Sequence, residues 1–475
     1  METPEQYADL LVGQAAEASE ACRQFDQVQV DRIVKAVYEA AYAARLDLAR
    51  LAFDETGMGV YEHKVIKNAW ASLLVYEDIR DRRTVGVVSQ IPAAGITEVA
   101  QPKGPVLGTV PVTNPTSTTI FKSLVCMKTR NPIIFSPHRG ARKCIKETAR
   151  ILADAATRAG APPHAIQCMT RGQSDYAKAV MRHPRLALIM ATGTSSIVKV
   201  AEASGTPTLG VGPGNVPVYV HASADLDGAA RAIAHSKTFD NGTICASEQA
   251  LVVEPHVADR LRPLLEARGA HFCTDAQMRA LGPVCWDGEQ ERMRADVVGQ
   301  PAAVIASRAG FEVSPRTRLL VARPDGIGAD HPLSHEILAP VLAEYVCAGY
   351  GEALAACEAV TLRGGIGHTV VVYANDERVI ADFGRMNAAR ILVNQPSTEG
   401  AIGGIYNSLR PSLTLSCGTG AGNLSTDNIT TDHLLNIHRI ARLRSNARWM
   451  NTPRATWLDP AIGPAEILDI YNRNY

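Results

Sequence analysis

Short β-rich runs alternate with longer helical stretches through most of this chain, and that alternation limits the possible folds more than any other feature. Runs over 106–112, 133–136 and 186–191 are separated by a helical stretch over 140–159 and followed by a helix that opens at Gly193. Strands joined through helices of that length form βαβ units, and such units build a parallel sheet. The first half therefore reads as doubly wound α/β. A second series, over 249–254, 318–322, 341–346, 369–374 and 390–394, reads as another α/β unit. Ahead of both, Val30, Ile33, Val34, Val37, Ala41 and Ala44 recur at helical spacing with no Gly or Pro between them, which predicts an amphipathic helix. Residues 84–105 and 439–475 fit neither sheet and read as arms that carry subunit contacts.

Bulk properties exclude several functions. The 475 residues, 46% of them hydrophobic, suffice for two or three domains with large cores. Lys+Arg and Asp+Glu both total 48, so no net field draws nucleic acid or an anionic membrane. No apolar run reaches the roughly 18 residues that a membrane helix requires. The N-terminus is polar and acidic where a secretory signal is basic and then apolar, and the expected location is the cytoplasm. Ten cysteines occur without a C-x-x-C or other close pair, which argues against structural zinc and against a disulfide framework. His331 and His335 have i,i+4 spacing, but Pro332 places them in a loop, and no metal site is expected.

One cysteine stands apart. In SKTFDNGTICASEQ, Cys245 lies among small and amide residues just past an Asn-Gly turn, a setting that exposes a reactive sulfur to a substrate carbon. Asn114 follows the strand over 106–112 and precedes Pro115 at the start of a helix; its amide can face a ligand, and an Asx-turn is the bland alternative. His368, after the glycines of RGGIGHT, can move protons near neutral pH or simply close a turn. The glycine turn of ATGT, with Gly193 and Thr194, and the GVGPGN loop, with Gly212, allow close backbone approach to a ligand or serve as plain connections.

FKSL, TRNPIIFSPH, ATGT, GVGPGN, SKTFDNGTICASEQ, HEILAPVLAEY, GGIGHT and PSLTLSCGTGAGN occur in one order at large separations. In that order they resemble the CoA-acylating aldehyde dehydrogenases, above all the aldehyde dehydrogenase half of the bifunctional aldehyde–alcohol dehydrogenases. The resemblance implies an aldehyde dehydrogenase-like fold of two doubly wound α/β domains and a small β oligomerisation arm. Dinucleotide binding is expected in 1–83 and 106–237, catalysis in 238–438, and the arm in 84–105 and 439–475. It also implies an enzyme standing alone rather than fused, working as a homodimer or higher homo-oligomer.

Roles follow from the same resemblance. Cys245 matches the nucleophile, Asn114 the oxyanion-hole amide, His368 a proton-transfer histidine, and Glu336 the carboxylate at the nicotinamide ribose. Thr113, Ser136, His138, Arg139, Gly193, Thr194 and Gly212 fall where the family binds its dinucleotide. Hydrolytic relatives carry a glutamate in an ELGG motif that activates water, whereas this chain has GVGPGN there, so a thioester on Cys245 is expected to wait for CoA. Arg139 stands in SPHR where relatives read SPHP, and an arginine can hold a 2′-phosphate, so NADP is expected to be accepted beside NAD. Thr243 and Arg410 replace an apolar and a small residue near the expected aldehyde pocket. They point to an anionic short aldehyde, sulfoacetaldehyde or succinic semialdehyde, with acetaldehyde as the alternative. The joint presence of Cys245, Asn114, Glu336 and His368 speaks against a structural or regulatory subunit with a relict site.

Overall fold

The computed structural model describes residues 2–172 and 174–474. Its N-terminal part is helical for local reasons. Thr3 and Asp26 each open a helix, Pro4–Arg23 and Gln27–Ala43, through reciprocal capping boxes with Gln6 and Gln29. The second of these buries Val30, Ile33, Val34, Val37 and Ala41, so the apolar stripe legible in the sequence is its core face. Helices Arg45–Thr56 and Tyr61–Ala69 follow, and the latter continues through a wide π turn, Trp70–Leu74, into Val75–Ile79.

The chain divides into two compact units. The smaller comprises Arg83–Gln101 and Asn436–Tyr475. It holds the antiparallel hairpin of β1 (Gly86–Ile91) and β2 (Ile96–Pro102), whose register shifts between Val87 and Ser89. Three short helices, Ala447–Asn451, Arg454–Leu458 and Pro464–Arg473, lie in its C-terminal part, where Trp449 stacks on Trp457 with ring centroids 4.4 Å apart.

The larger unit contains two parallel sheets. In the first, β3 (Val106–Val110), β4 (Ile133–Pro137), β5 (Ile166–Cys168), β6 (Leu188–Ala191) and β7 (Thr208–Gly210) adopt the order β5-β4-β3-β6-β7. The chain builds outward from β3 through β4 on one side, then returns to place β6 on the other. That reversal opens a crevice beyond the carboxyl ends of β3 and β6, where open α/β sheets hold ligands. Lys122, buried on helix Pro115–Lys128, ties the two strands together there. Its Nζ donates to the carbonyls of Thr109 at 2.7 Å and Met190 at 2.8 Å, and burial lowers its pKa to about 7.

The second sheet has seven strands. They are β8 (Val216–Val220), β9 (Glu248–Val253), β10 (Ala270–Phe272), β13 (Leu319–Ala322), β14 (Val341–Val346), β15 (Gly367–Tyr373) and β16 (Ala388–Val393), in the order β10-β13-β14-β9-β8-β15-β16. A two-stranded ribbon, β11 (Trp286–Asp287) with β12 (Arg292–Met293), sits between β10 and β13 in the chain. One core of this sheet gathers Val218, Val220, Leu251, Val253, Leu342 and Val371. The last strand, β17 (Leu435–Ala441), joins β1 and β2 in a three-stranded sheet. Among the described residues no helix is long and apolar enough to cross a membrane.

Mixed α/β architecture with parallel sheets is thus as expected, but the changeover between the sheets comes earlier than 237. β8 pairs with β9 and β15, so residues 216–220 belong to the second sheet. The reason is physical: an apolar run such as VPVYV suits either sheet, and the backbone partner it finds decides membership.

Leu251, fully buried in the middle of β9, reports on this core. Leu251→Ala is expected to cost about 2–5 kcal/mol. In a urea titration this appears as a lower midpoint with an unchanged slope; an unchanged midpoint would mean that the cavity closes by repacking.

Candidate active site

Cys245 follows a turn of unusual backbone. Across Phe239–Gly242 the backbone kinks: Asp240 (φ 47°, ψ 37°) and Asn241 (φ 52°, ψ 40°) are left-handed, followed by Gly242 at φ 69°. Asp and Asn tolerate that region better than most side chains, but successive residues there need outside support. Asp240 receives it. Its Oδ1 accepts from the Val60 N–H at 2.7 Å, and its Oδ2 accepts from the Thr243 hydroxyl at 2.7 Å and from Lys64 Nζ at 3.2 Å. Lys67 Nζ donates to the same Oδ2. The Asp240 N–H donates to His63 Nδ1 at 2.8 Å. At Gly59, whose φ is 76°, a Cβ would overlap the Asp240 carboxylate, so the chain needs glycine for this approach. Burial penalises the Asp240 charge, but Lys67 and Lys64 outweigh it and hold its pKa below the usual carboxylate range.

The same lysine reaches the other candidate residues. Lys67 Nζ donates to Asn114 Oδ1 at 2.7 Å and to the Thr113 carbonyl at 3.3 Å. Asn114 Nδ2 in turn donates to Thr113 Oγ1 at 3.0 Å and makes a long contact of 3.4 Å with the Thr243 carbonyl, two residues before Cys245. Asn114 caps helix Pro115–Lys128 by position, yet its side chain makes no cap bond. The Asx-turn alternative is therefore not what the amide does here.

Cys245 is partly buried, and its thiol pKa is pushed up to about 12, first by burial and then by the Glu336 carboxylate, with Arg390 pulling the other way. The GVGPGN loop lies directly against it. A Cβ at Gly214 would overlap the Cys245 carbonyl and stand 3.4 Å from His368 Cε1. The Gly214 N–H donates to Glu336 Oε1 at 2.8 Å, and burial raises the Glu336 pKa to about 7. His368 is fully buried, with Nδ1 3.0 Å from Thr369 Oγ1. Its Nε2 has no hydrogen-bond partner among the described residues. Burial and the nearby Arg390 hold its pKa well below the ordinary histidine value, so the imidazole is neutral.

Arg390 was not singled out by its sequence setting. From β16 it donates to the carbonyls of His368 at 3.0 Å and Ser416 at 2.9 Å, and to Asn428 Oδ1 at 3.0 Å. Next to Ser416 lies Cys417, a second buried thiol close enough to the first to contribute to its raised pKa. Lys67, Asp240 and Cys417 were missed as well. KVIKNA reads as a polar helical surface, and only the fold turns Lys64 and Lys67 inward.

The expected dinucleotide residues gather at the carboxyl ends of the first sheet. Thr113 follows β3, Ser136 lies next to the last residue of β4 with His138 and Arg139 beyond the strand, and Gly193 and Thr194 follow β6. Arg139 is exposed, on a turn whose His138 Nδ1 accepts from the Gly140 N–H at 3.1 Å. Burial and then Arg139 lower the His138 pKa. The N-terminus of the following helix, Arg142–Arg158, is already occupied: Glu55 accepts from the N–H groups of Lys143 at 2.8 Å and Cys144 at 2.7 Å. Gly212 lies by Cys417, whose Sγ would stand 4.0 Å from an added Cβ.

Two expected substrate residues are engaged elsewhere. Arg410 pairs with Asp78 at 2.8 Å and Asp432 at 2.6 Å, so two carboxylates take up its charge. The Thr243 hydroxyl belongs to Asp240, and its methyl group faces Gly299. Neither presents a polar group to a pocket, because each finds a stronger charged partner within the protein.

Comparison with known proteins agrees with this architecture. The residue pattern described as "Aldehyde dehydrogenase family" matches residues 2–409. Bifunctional aldehyde-alcohol dehydrogenase AdhE of Escherichia coli (strain K12) is 40% identical over 452 residues, covering 94% of this chain and 50% of that protein. The chain thus spans about half the length of such relatives. Sulfoacetaldehyde dehydrogenase (acylating) of Cupriavidus necator is 36% identical over 446 residues, 91% of this chain and 89% of that one. Among solved structures, an acetylating aldehyde dehydrogenase from Geobacillus thermoglucosidasius superposes with a TM-score of 0.90 at 41% identity, covering 93% of this chain and 98% of that chain.

The thiol environment makes a pH prediction. With its pKa raised, Cys245 is protonated at neutral pH in the free protein. Its alkylation by iodoacetamide is expected to accelerate about tenfold per pH unit with no plateau below pH about 10. Because the Glu336 carboxylate contributes to the upward shift, Glu336→Gln lowers the thiol pKa, and alkylation at pH 8 speeds up. A plateau near pH 8 in the unmodified protein, followed by peptide mapping of Cys245, would contradict this.

Proposed function

The chain belongs to the aldehyde dehydrogenase family, and from that premise we propose that it oxidises a short aldehyde to an acyl-CoA through a thioester on Cys245. The observation that carries the reading is the meeting of four features: the partly buried thiol, the Asn114 amide, the neutral His368 and a loop, GVGPGN, that brings no acidic side chain to the sulfur.

The chain's own groups suit each step. The Cys245 sulfur, once deprotonated, adds to the aldehyde carbon. The oxyanion of the resulting hemithioacetal is held by Asn114 Nδ2 and by the Cys245 N–H, which faces its own sulfur. A bound nicotinamide dinucleotide supplies the hydride acceptor. The crevice beyond β3 and β6 fits such a group: it brings Thr113, Ser136, His138, Arg139, Gly193 and Thr194 together and leaves the Thr192 hydroxyl without a partner. Glu336, as in the family it resembles, is proposed to orient the ribose. The acyl group then passes from Cys245 to the CoA sulfur, and His368 Nε2 is the acceptor for the thiol proton. The balance is aldehyde, CoA and oxidised dinucleotide to acyl-CoA, reduced dinucleotide and one proton.

Arg139, exposed beyond β4, suits the 2′-phosphate of NADP, and NADP is proposed as a cofactor beside NAD. Since Arg410 and Thr243 serve internal carboxylates, the substrate proposed first is a short uncharged aldehyde, with acetaldehyde as its type. Sulfoacetaldehyde is the comparison to make. The smaller unit is proposed as the oligomerisation arm of a homodimer or larger assembly.

An absorbance assay at 340 nm tests the reading. Reduced dinucleotide should form continuously only with CoA present, Cys245→Ser should lower the rate by about a thousandfold or more, and Arg139→Ala should weaken NADP far more than NAD. Continuous turnover without CoA would make Glu336 a hydrolytic base and overturn the acylating assignment. A kcat/KM for sulfoacetaldehyde above that for acetaldehyde, lost in Arg410→Ala, would restore the anionic substrate.

A further inference from the structure

The buried charges behind Asn114 exceed what the turn before Cys245 needs. Lys64 and Lys67 are 1% and 2% exposed and face a single carboxylate, Asp240, which leaves one formal positive charge in the interior. Asp240 already has Lys64, the Val60 N–H and the Thr243 hydroxyl. The second lysine therefore has another task.

Its bond to Asn114 shows what that is. An ammonium only donates, so the atom it meets at 2.7 Å must be the amide oxygen. With the oxygen held there, the amide nitrogen is turned toward residue 243 and the peptide leading to Cys245. One of its N–H groups is engaged by Thr113 Oγ1 at 3.0 Å, while the other meets the Thr243 carbonyl at only 3.4 Å. That second N–H is held loosely and is ready for a stronger acceptor. A full positive charge on the oxygen side also polarises the amide and makes its N–H a better donor.

We propose that Lys67, anchored by Asp240, is a positioning residue that sets the direction and donor strength of the Asn114 amide toward the oxyanion. The assignment rests on the reading of Asn114 as an oxyanion donor. Lys67 itself touches neither thiol nor substrate; it acts through Asn114. Asp240 in turn is positioned by the left-handed turn and by the missing side chain of Gly59. Removing the Lys67 charge still leaves Asp240 paired with Lys64, so the fold keeps its ion pair.

A double-mutant cycle tests this in the full chain. Single-turnover formation of NADH from acetaldehyde is followed in the unmodified protein, Lys67→Met, Asn114→Ala and the double variant. Lys67→Met should slow the step about 10- to 100-fold, the worth of one charge-assisted hydrogen bond, with little change in half-saturating acetaldehyde. In the Asn114→Ala background the same change should cost no more than about twofold. Lys67→Gln, which keeps a donor without the charge, should recover part of the rate, and it replaces Lys67→Met in the cycle if thermal melting shows that variant unfolded. Multiplying effects in the double variant, or a full rate in the folded Lys67 variant, would overturn the positioning role. A full rate in Asn114→Ala would instead remove the oxyanion reading itself and the proposal with it.

Discussion

Asp240 is the constraint from which the geometry around Cys245 follows. A carboxylate with no exposure is tolerated only if every lone pair is used and its charge is met. Two lysines, one hydroxyl and one backbone N–H do this, and they come from two separate parts of the chain: the helix Tyr61–Ala69 with its preceding loop, and the turn that carries the thiol. The interaction costs backbone strain at Asp240 and Asn241 and a glycine at position 59. In return, the loop before Cys245 has one arrangement rather than many. A turn of that length held only by its own backbone would sample several conformations, and the Asn114 amide would have no fixed target.

On the other side of the sulfur the structure works by close approach. Gly214 has no side chain because the Cys245 carbonyl occupies that space, and Gly367, at φ 76°, similarly faces the carbonyl of Cys417. These two contacts pack the GVGPGN loop, the RGGIGHT loop and the second thiol into one layer. Arg390 binds the layer together by donating to carbonyls on both sides, at His368 and Ser416. Its charge has further consequences: it adds to the burial that keeps the imidazole neutral, and it partly offsets the upward pressure of Glu336 on the thiol.

What the sequence made legible divides along the same line. Elements set by short-range pattern were readable: the apolar stripe of Gln27–Ala43 and the runs that became β4, β13 and β14. Features set by long-range pairing were not. VPVYV could join either sheet, and the lysines of KVIKNA looked like solvated surface because their acceptor, Asp240, lies far along the chain. Arg410 and Thr243 stood out as polar substitutions near a pocket, but whether a polar group faces ligand or protein depends on partners such as Asp78 and Asp240, which no local window contains. Arg390 sits in a short apolar strand, AARILV, and gives no local sign that it bridges two loops.

The groups beneath the thiol form a second balance. Lys237, fully buried, donates to Gln249 Oε1 at 2.8 Å and to the Ile337 carbonyl at 3.0 Å, one residue from Glu336. Burial lowers its pKa to about 7, while burial raises that of Glu336 to about 7 as well. The Glu248 and Glu336 carboxylates pull the Lys237 value back up, and the Gly214 N–H and Lys237 pull the Glu336 value back down. In an ordinary exposed setting a lysine and a glutamate titrate far apart. Here desolvation brings the two values together, and the same physical cause, burial, raises the thiol of Cys245.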